Sequence, residues 1–261
     1  MNTTKIFDYI HNQVFGKELV AQAQALDPNA NGIQILGKNK VNKIAVGVSC
    51  HAEFLQKAID WGADVCIFHH GMGLSEKHGI YNSRLSPSLQ SQLQLVFKNN
   101  LTIAAYHYCL DVDPNIGNNV LIAQHLGLRL TGEKYFDDWG IIAKSDPVKD
   151  VDELAKACSQ LFKHDVFMIR AKNEITRIGI CSGGAIPHVK ENFEIVEKNI
   201  DLHLTGVATE SGVATAKEND YSYFACGHYA TETLGIKALG EKINTKFENI
   251  DVRFIEVWNE L

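Results

Sequence analysis

Residues 63–71 read "ADVCIFHHG", and the two histidines that end this run decide how the chain is read. Val65 to Phe68 is a short apolar, β-favouring run bounded by a glycine, the pattern of a buried strand. Polar rings at the end of a buried strand are costly unless they have partners. Neighbouring side chains on a regular strand point to opposite faces. His69 and His70 are therefore expected to serve one cluster only if the strand stops at Phe68 and the chain turns at Gly71, where a glycine makes a turn easy.

Outward from this run, the same order of elements is written twice. "KIAVGVSC" (43–50) is β-rich and leads into the helical "AEFLQKAIDWG". After the His-His run comes a polar loop to about residue 87, a helix in "SPSLQSQLQLVFKNN", the strand "LTIAAYHYCLD" (101–111) and a helix in "NNVLIAQHLG" that ends at Gly127. In the second half "RIGICSGG" (177–184) matches the first strand at an offset of 134 residues, and "NIDLHLTG" (199–206) matches the His-His run. "YSYFACGHYATE" (221–232) matches the third strand, with "TLGIKALGEKI" as its helix. Alternation of strands and helices predicts an α/β fold. The repeat predicts two related α/β lobes, residues 1–130 and 131–261, facing a central cleft, with the last strand packing back on the first lobe.

The chain has 261 residues, of which 45% are hydrophobic and 21% charged, ordinary for a globular protein with ample core. A net charge of -6 and no Lys/Arg run argue against a nucleic-acid binder. The N-terminus reads as an amphipathic helix, and no apolar stretch approaches the ~18 residues of a membrane span, so a cytoplasmic protein is expected. Six scattered cysteines without a C-x-x-C pair argue for reduced core thiols rather than Cys-type structural zinc.

Each half also carries a histidine and a carboxylate four residues apart, His107 with Asp111 and His228 with Glu232, just past the apolar end of a strand. Strand ends are where open α/β sheets gather ligands. Imidazole plus carboxylate suits Zn, Fe, Mn, Co or Ni. One ion with an open position takes about three protein ligands. His69, His70, Asp111, His228 and Glu232 supply five, enough for two ions bridged by a carboxylate, and His107 stands by as a sixth. The competing reading gives Asp111 to a helix cap and Glu232 to the first turn of a helix near its dipole. His51, His78, His125, His164, His188 and His203 read as ordinary hydrogen-bonded or surface histidines. "CSGGAIPH" (181–188) is either an anion-holding turn or a plain tight turn, with Pro187 opening a helix; it lacks nucleotide-loop spacing. "DPNANGIQILG" (27–37) reads as a turn entering a strand.

Taken together, "ANGIQI", "FHHG", "AYHYCLDVDPNIGNN" and "GHYATETLGIKAL" resemble the NIF-three-like family, whose bacterial members carry the label GTP cyclohydrolase I type 2 homologue. The motifs span residues 31 to 238. The resemblance implies a dinuclear metal centre between two α/β lobes and a toroidal homohexamer. It also implies metal ligands at His69, His70, Asp111, His228 and Glu232, with two divalent ions per subunit and His107 as an auxiliary or proton-transfer group. Two departures touch the expected cleft lining: Met72-Gly73-Leu74 follows the histidines in place of aromatic residues, and Val207 stands where many members have glutamate.

The function these readings favour is metal-dependent hydrolysis of a small molecule. The label implies a nucleotide whose purine ring is opened at C8 by metal-activated water, with His107 moving a proton. Arg84 is a single candidate for a phosphate contact. The alternative is a non-enzymatic metal-binding, metallochaperone or regulatory interaction protein.

Overall fold

The computed structural model describes residues 1–75 and 79–260, so His78 lies outside the described residues. The chain opens with α1 (Thr3–Tyr9), a π-turn over Ile10–Val14, α2 (Lys17–Leu26) and β1 (Asn31–Ile35). Then come β2 (Lys43–Ser49), α3 (Ala52–Trp61), β3 (Val65–His70), a small hairpin of β4 (Ile80–Tyr81) and β5 (Arg84–Leu85), α4 (Pro87–Asn99) and β6 (Thr102–Tyr106). A short α5 (His107–Val112) and α6 (Asn118–His125) lead to β7 (Arg129–Tyr135), β8 (Gly140–Asp150), α7 (Val151–Phe162) and β9 (Phe167–Ile169). Next are β10 (Glu174–Ile180), α8 (Val189–Glu197), β11 (Leu202–Thr205), α9 (Glu210–Glu218) and β12 (Ser222–Ala225). The chain closes with α10 (His228–Thr231), α11 (Thr233–Lys246) and β13 (Asp251–Phe254).

The chain divides into two compact units, Met1–Leu110 with Gly235–Val257, and Asp111–Leu234 with Trp258–Leu261. The first holds a five-stranded sheet in the order β1-β6-β3-β2-β13. Four of these strands are parallel and β1 is antiparallel on β6. Helix α3 covers one face because its apolar residues recur at helical spacing: Phe54, Leu55 and Ala58 are buried against Ala45, Cys66, Phe68 and Ile103. Its ends are set locally, by His51 Nδ1 accepting the Phe54 N–H at 3.4 Å and by Gly62 at φ 85°. Gly47 allows this close packing, since a Cβ there would strike the Phe54 ring.

The second unit holds six strands in the order β7-β8-β10-β11-β12-β9. β10, β11 and β12 are parallel; β7, β8 and β9 run antiparallel to their neighbours. One face buries Val151, Leu154 and Cys158 of α7 against Ile178, Leu202 and Phe224. The other buries Tyr135, Ile195 and Ala216 with Tyr223.

The two sheets share one plan. The run β1-β6-β3-β2 corresponds to β9-β12-β11-β10: an antiparallel edge, then three parallel strands in reversed chain order. The correspondence extends to single hydrogen bonds. Asp64, just before β3, accepts from the Asn42 and Lys43 N–H groups at 2.8 and 3.2 Å and from Lys38 Nζ at 3.0 Å. Asp201, just before β11, accepts from the Thr176 and Arg177 N–H groups at 3.0 and 2.8 Å and from Lys172 Nζ at 2.8 Å. Burial pushes both carboxyls up, but these donors outweigh it and hold both below the ordinary aspartate value. Likewise Thr102 Oγ1 accepts the Gly37 N–H, and Ser222 Oγ accepts the Ala171 N–H.

All six cysteines are buried. Among the described residues, no helix is long and apolar enough to cross a membrane.

Candidate metal centre

The first unit brings three histidines together. β3 does not stop at Phe68 as the sequence suggested; it runs on through His69 and His70. Its pairing with β6 ends at Phe68, whereas its pairing with β2 continues to His70. The neighbour on the β6 side has left the sheet, and His107, the first residue of α5, places its ring beside the pair. Ring centroids lie 4.6 Å apart for His69 and His70, 4.8 Å for His69 and His107, and 5.2 Å for His70 and His107. One ring nitrogen from each falls within 4.8 Å of the others. This His cluster could hold a metal ion.

Two of the rings are held from behind. Ser49 Oγ lies 3.2 Å from His70 Nδ1, and Asp27 Oδ2 lies 2.7 Å from His107 Nδ1. A carboxylate oxygen only accepts, so Nδ1 of His107 carries a proton, and in the neutral ring Nε2 is then the nitrogen that can bind a metal, the arrangement typical of metal-binding histidines. His107 thus sits in the same cluster as His69 and His70, which suits the auxiliary or proton-transfer place the sequence gave it.

The second unit carries Asp111, His228 and Glu232. His228 Nε2 and Glu232 Oε1 are 3.2 Å apart across one turn, with Glu232 buried at 3% side-chain exposure and His228 at 37%. Gly183, at φ +67°, lies against them: a Cβ there would collide with Glu232 Oε1 and come within 3.3 Å of His228 Nε2. That cradle leaves room in front of both donor atoms that any side chain would fill. Asp111 is buried and its Oδ1 accepts from Asn118 Nδ2 at 3.1 Å and Ser182 Oγ at 2.9 Å. It is not a cap: Asp113 caps the following turn, its Oδ1 accepting from the Asn115 and Ile116 N–H groups.

The glycine loop 181–188 serves these carboxylates rather than an anion. The Ser182 N–H donates to Asn119 Oδ1 at 2.8 Å and the Gly183 N–H to Thr231 Oγ1 at 2.9 Å, so neither is turned to a phosphate. Burial pushes the Cys181 thiol well up, and the neighbouring Asp111 and Glu232 act in the same direction. Several other histidines have structural partners among the described residues. His51 caps α3, and His203 and His164 bond to backbone carbonyls. The His188 N–H bonds Glu191 on the same helix. Asp27, Ser49, Ser182 and Thr231 were not singled out from the sequence, because no spacing links positions so far apart.

The donor set fits divalent transition metals: three clustered imidazoles in one unit, an imidazole and two buried carboxylates in the other. These features define a two-unit α/β protein with metal-capable side chains at the strand ends of both sheets. Residues 11–260 match the family Duf34/NIF3 (NGG1p interacting factor 3), and the chain belongs to that family. It is 32% identical over 256 residues to a GTP cyclohydrolase 1 type 2 homolog of Buchnera aphidicola, covering 97% of this chain and 98% of that one. It is 30% identical to a protein of the same name from Pseudomonas aeruginosa, over 91% of this chain and 92% of the relative. Among solved structures it resembles protein ybgI, described as of unknown function, with a TM-score of 0.83, 25% identity and full coverage of both chains.

Proposed function

We propose that this chain is a metal-dependent hydrolase acting on a small cyclic substrate, in the manner implied by the name GTP cyclohydrolase 1 type 2 homolog. His69, His70, Asp111, His228 and Glu232 would hold two divalent ions, and His107 would move a proton. The observation that carries this reading is a three-histidine cluster in one unit and, in the other, His228 beside the buried Glu232, a pair that only a glycine can face. Two divalent ions, when bound, supply Lewis acidity and a water of lowered pKa.

The chain's own groups supply the rest. Asp27 fixes the His107 tautomer, so Nε2 can take a proton from water and return it to a leaving nitrogen. Asn118 and Ser182 hold Asp111 Oδ1 in place. Gly183 and Thr231 fix the position from which Glu232 acts. The active species is a homohexamer with a cytoplasmic small-molecule substrate.

Turnover of GTP and of a panel of cyclic amides, compared between metal-loaded wild type and Glu232→Gln, tests the proposal. Activity lost in the variant supports it. Equal activity in both, or no turnover by metal-loaded wild type, contradicts it and favours a non-enzymatic metal-binding role. Sizing at six times the 29.0 kDa chain mass tests the hexamer.

A further inference from the structure

Within the second unit a groove of about 990 Å³ opens at the carboxyl ends of β11 and β12. That volume suits a whole small ligand. Its floor is made by Gly206, Ala225 and Gly227, and it runs directly to His228. None of the three can present more than a methyl group, so the floor is flat. Gly206 cannot be enlarged at all: a Cβ there would come within 2.6 Å of the His228 Cα and of the Gly183 carbonyl.

The walls are apolar. Val213 and Ala214 face in from α9, Val207 and Ala208 from the loop after β11, and Phe167 from the edge strand β9. Phe167 is 49% exposed, a large ring with one face left uncovered. The Tyr223 hydroxyl donates to the Val207 carbonyl at 2.8 Å and holds that wall in place.

The rim decides the charge of the ligand. Glu210, Glu218 and Glu260 border it against Lys217 and His164. The start of α9, which would otherwise attract an anion, is closed: Thr209 Oγ1 accepts the Gly212 N–H at 3.2 Å, and Glu210 occupies the first turn. A polyphosphate would meet carboxylates here, whereas a ring bearing N–H donors would meet acceptors.

We infer that this groove is the substrate's ring pocket, taking a flat, uncharged or cationic nitrogen heterocycle between Phe167 and α9 with its reacting edge toward His228. The inference rests on the hydrolase reading, because His228 is what joins the groove to the metal site. It assigns the phosphate-bearing end of any nucleotide substrate to a place outside the groove, and it makes Val207, Val213 and Ala214 specificity-determining residues.

Equilibrium dialysis of guanosine against metal-loaded wild type, Ala214→Trp and Phe167→Ala tests it, with metal content measured on each sample. Both substituted positions are exposed, so the fold survives either change. The expected result is guanosine bound by wild type, at least tenfold weaker binding in Ala214→Trp, weaker binding in Phe167→Ala, and equal metal content in all three. No binding by wild type, or equal affinity in all three, overturns the inference. Inorganic tripolyphosphate losing affinity through the same Ala214→Trp change would also overturn it, since the groove would then be an anion site. Metal bound without guanosine contradicts the groove alone. Groove-dependent guanosine binding without metal contradicts the hydrolase reading alone.

Discussion

His203 on β11 offers a quantitative test of how the second unit holds its glycine loop. Its ring is fully buried, with Nδ1 at 2.9 Å from the Tyr135 hydroxyl and Nε2 at 2.9 Å from the Ala185 carbonyl. A carbonyl only accepts, so Nε2 carries the proton, and Nδ1 accepts from Tyr135. Burial lowers the imidazole pKa from 6.5 to about 4, although the Ala185 carbonyl works in the other direction. Below about pH 6.5 the unfolded chain therefore takes up a proton that the folded chain refuses, and stability falls as the pH drops toward 4. At about 1.4 kcal/mol per pH unit, this one group accounts for roughly 3 kcal/mol lost across that window. His203→Gln keeps an N–H donor for the Ala185 carbonyl but has no proton to gain. Urea unfolding of both proteins from pH 7 to pH 4.5 should show the wild type losing about 2–3 kcal/mol more than the variant. Identical pH slopes would refute the reasoning, and loss of metal from the variant at pH 7 would show that glutamine does not hold the loop.

Three further substitutions probe the site and its support. Gly183→Ala places a Cβ against Glu232 at a positive φ; the backbone strain of about 1–2 kcal/mol should lower Tm by roughly 2–8 °C, and metal retention should fall at least tenfold. Calorimetry and metal analysis check both, and wild-type metal content in the variant would contradict the cradle. Asp27→Asn leaves the His107 tautomer unfixed and should lower turnover by about 10–100-fold with little change in metal content or Tm, read by steady-state kinetics on metal-loaded protein. Asp201→Ala strips the acceptor from two backbone N–H groups and Lys172, which should cost about 3 kcal/mol in thermal unfolding. Because the folded carboxyl of Asp201 sits below its ordinary value, that contribution is complete above about pH 4 and is lost as the pH falls through the folded value; Asp201→Ala should flatten the acid limb of the stability curve.

Strands β2, β3, β6, β10, β11 and β12 were legible because each is an apolar run closed by a glycine or a polar residue, and the first three recur as the last three at offsets of about 120 to 135 residues. The edge pairings of β1 and β9 were not, since short strands of three to five residues carry little period. Strands β7 and β8 have no counterpart in the first half of the chain, so the repeat carries no signal for them. Among site residues, the histidines and carboxylates were readable as residue types stranded at the ends of apolar runs. Their geometry was not. Whether β3 ends at Phe68 or His70 depends on where β6 leaves the sheet, a tertiary fact. The hydrogen bond that orients His107 comes from Asp27, 80 residues away. The glycine loop was open to two readings until Asn119 and Thr231 were seen to take its N–H groups.

The measurement that bears most directly on the central claim is metal stoichiometry on tag-free protein after loading with a divalent transition metal and removal of excess. The account predicts two ions per chain in the wild type and a clear reduction in both His69→Ala and Glu232→Ala, with the fold intact by circular dichroism. Substantially less than one ion per chain in metal-replete wild type, or unchanged stoichiometry in both variants, would contradict it.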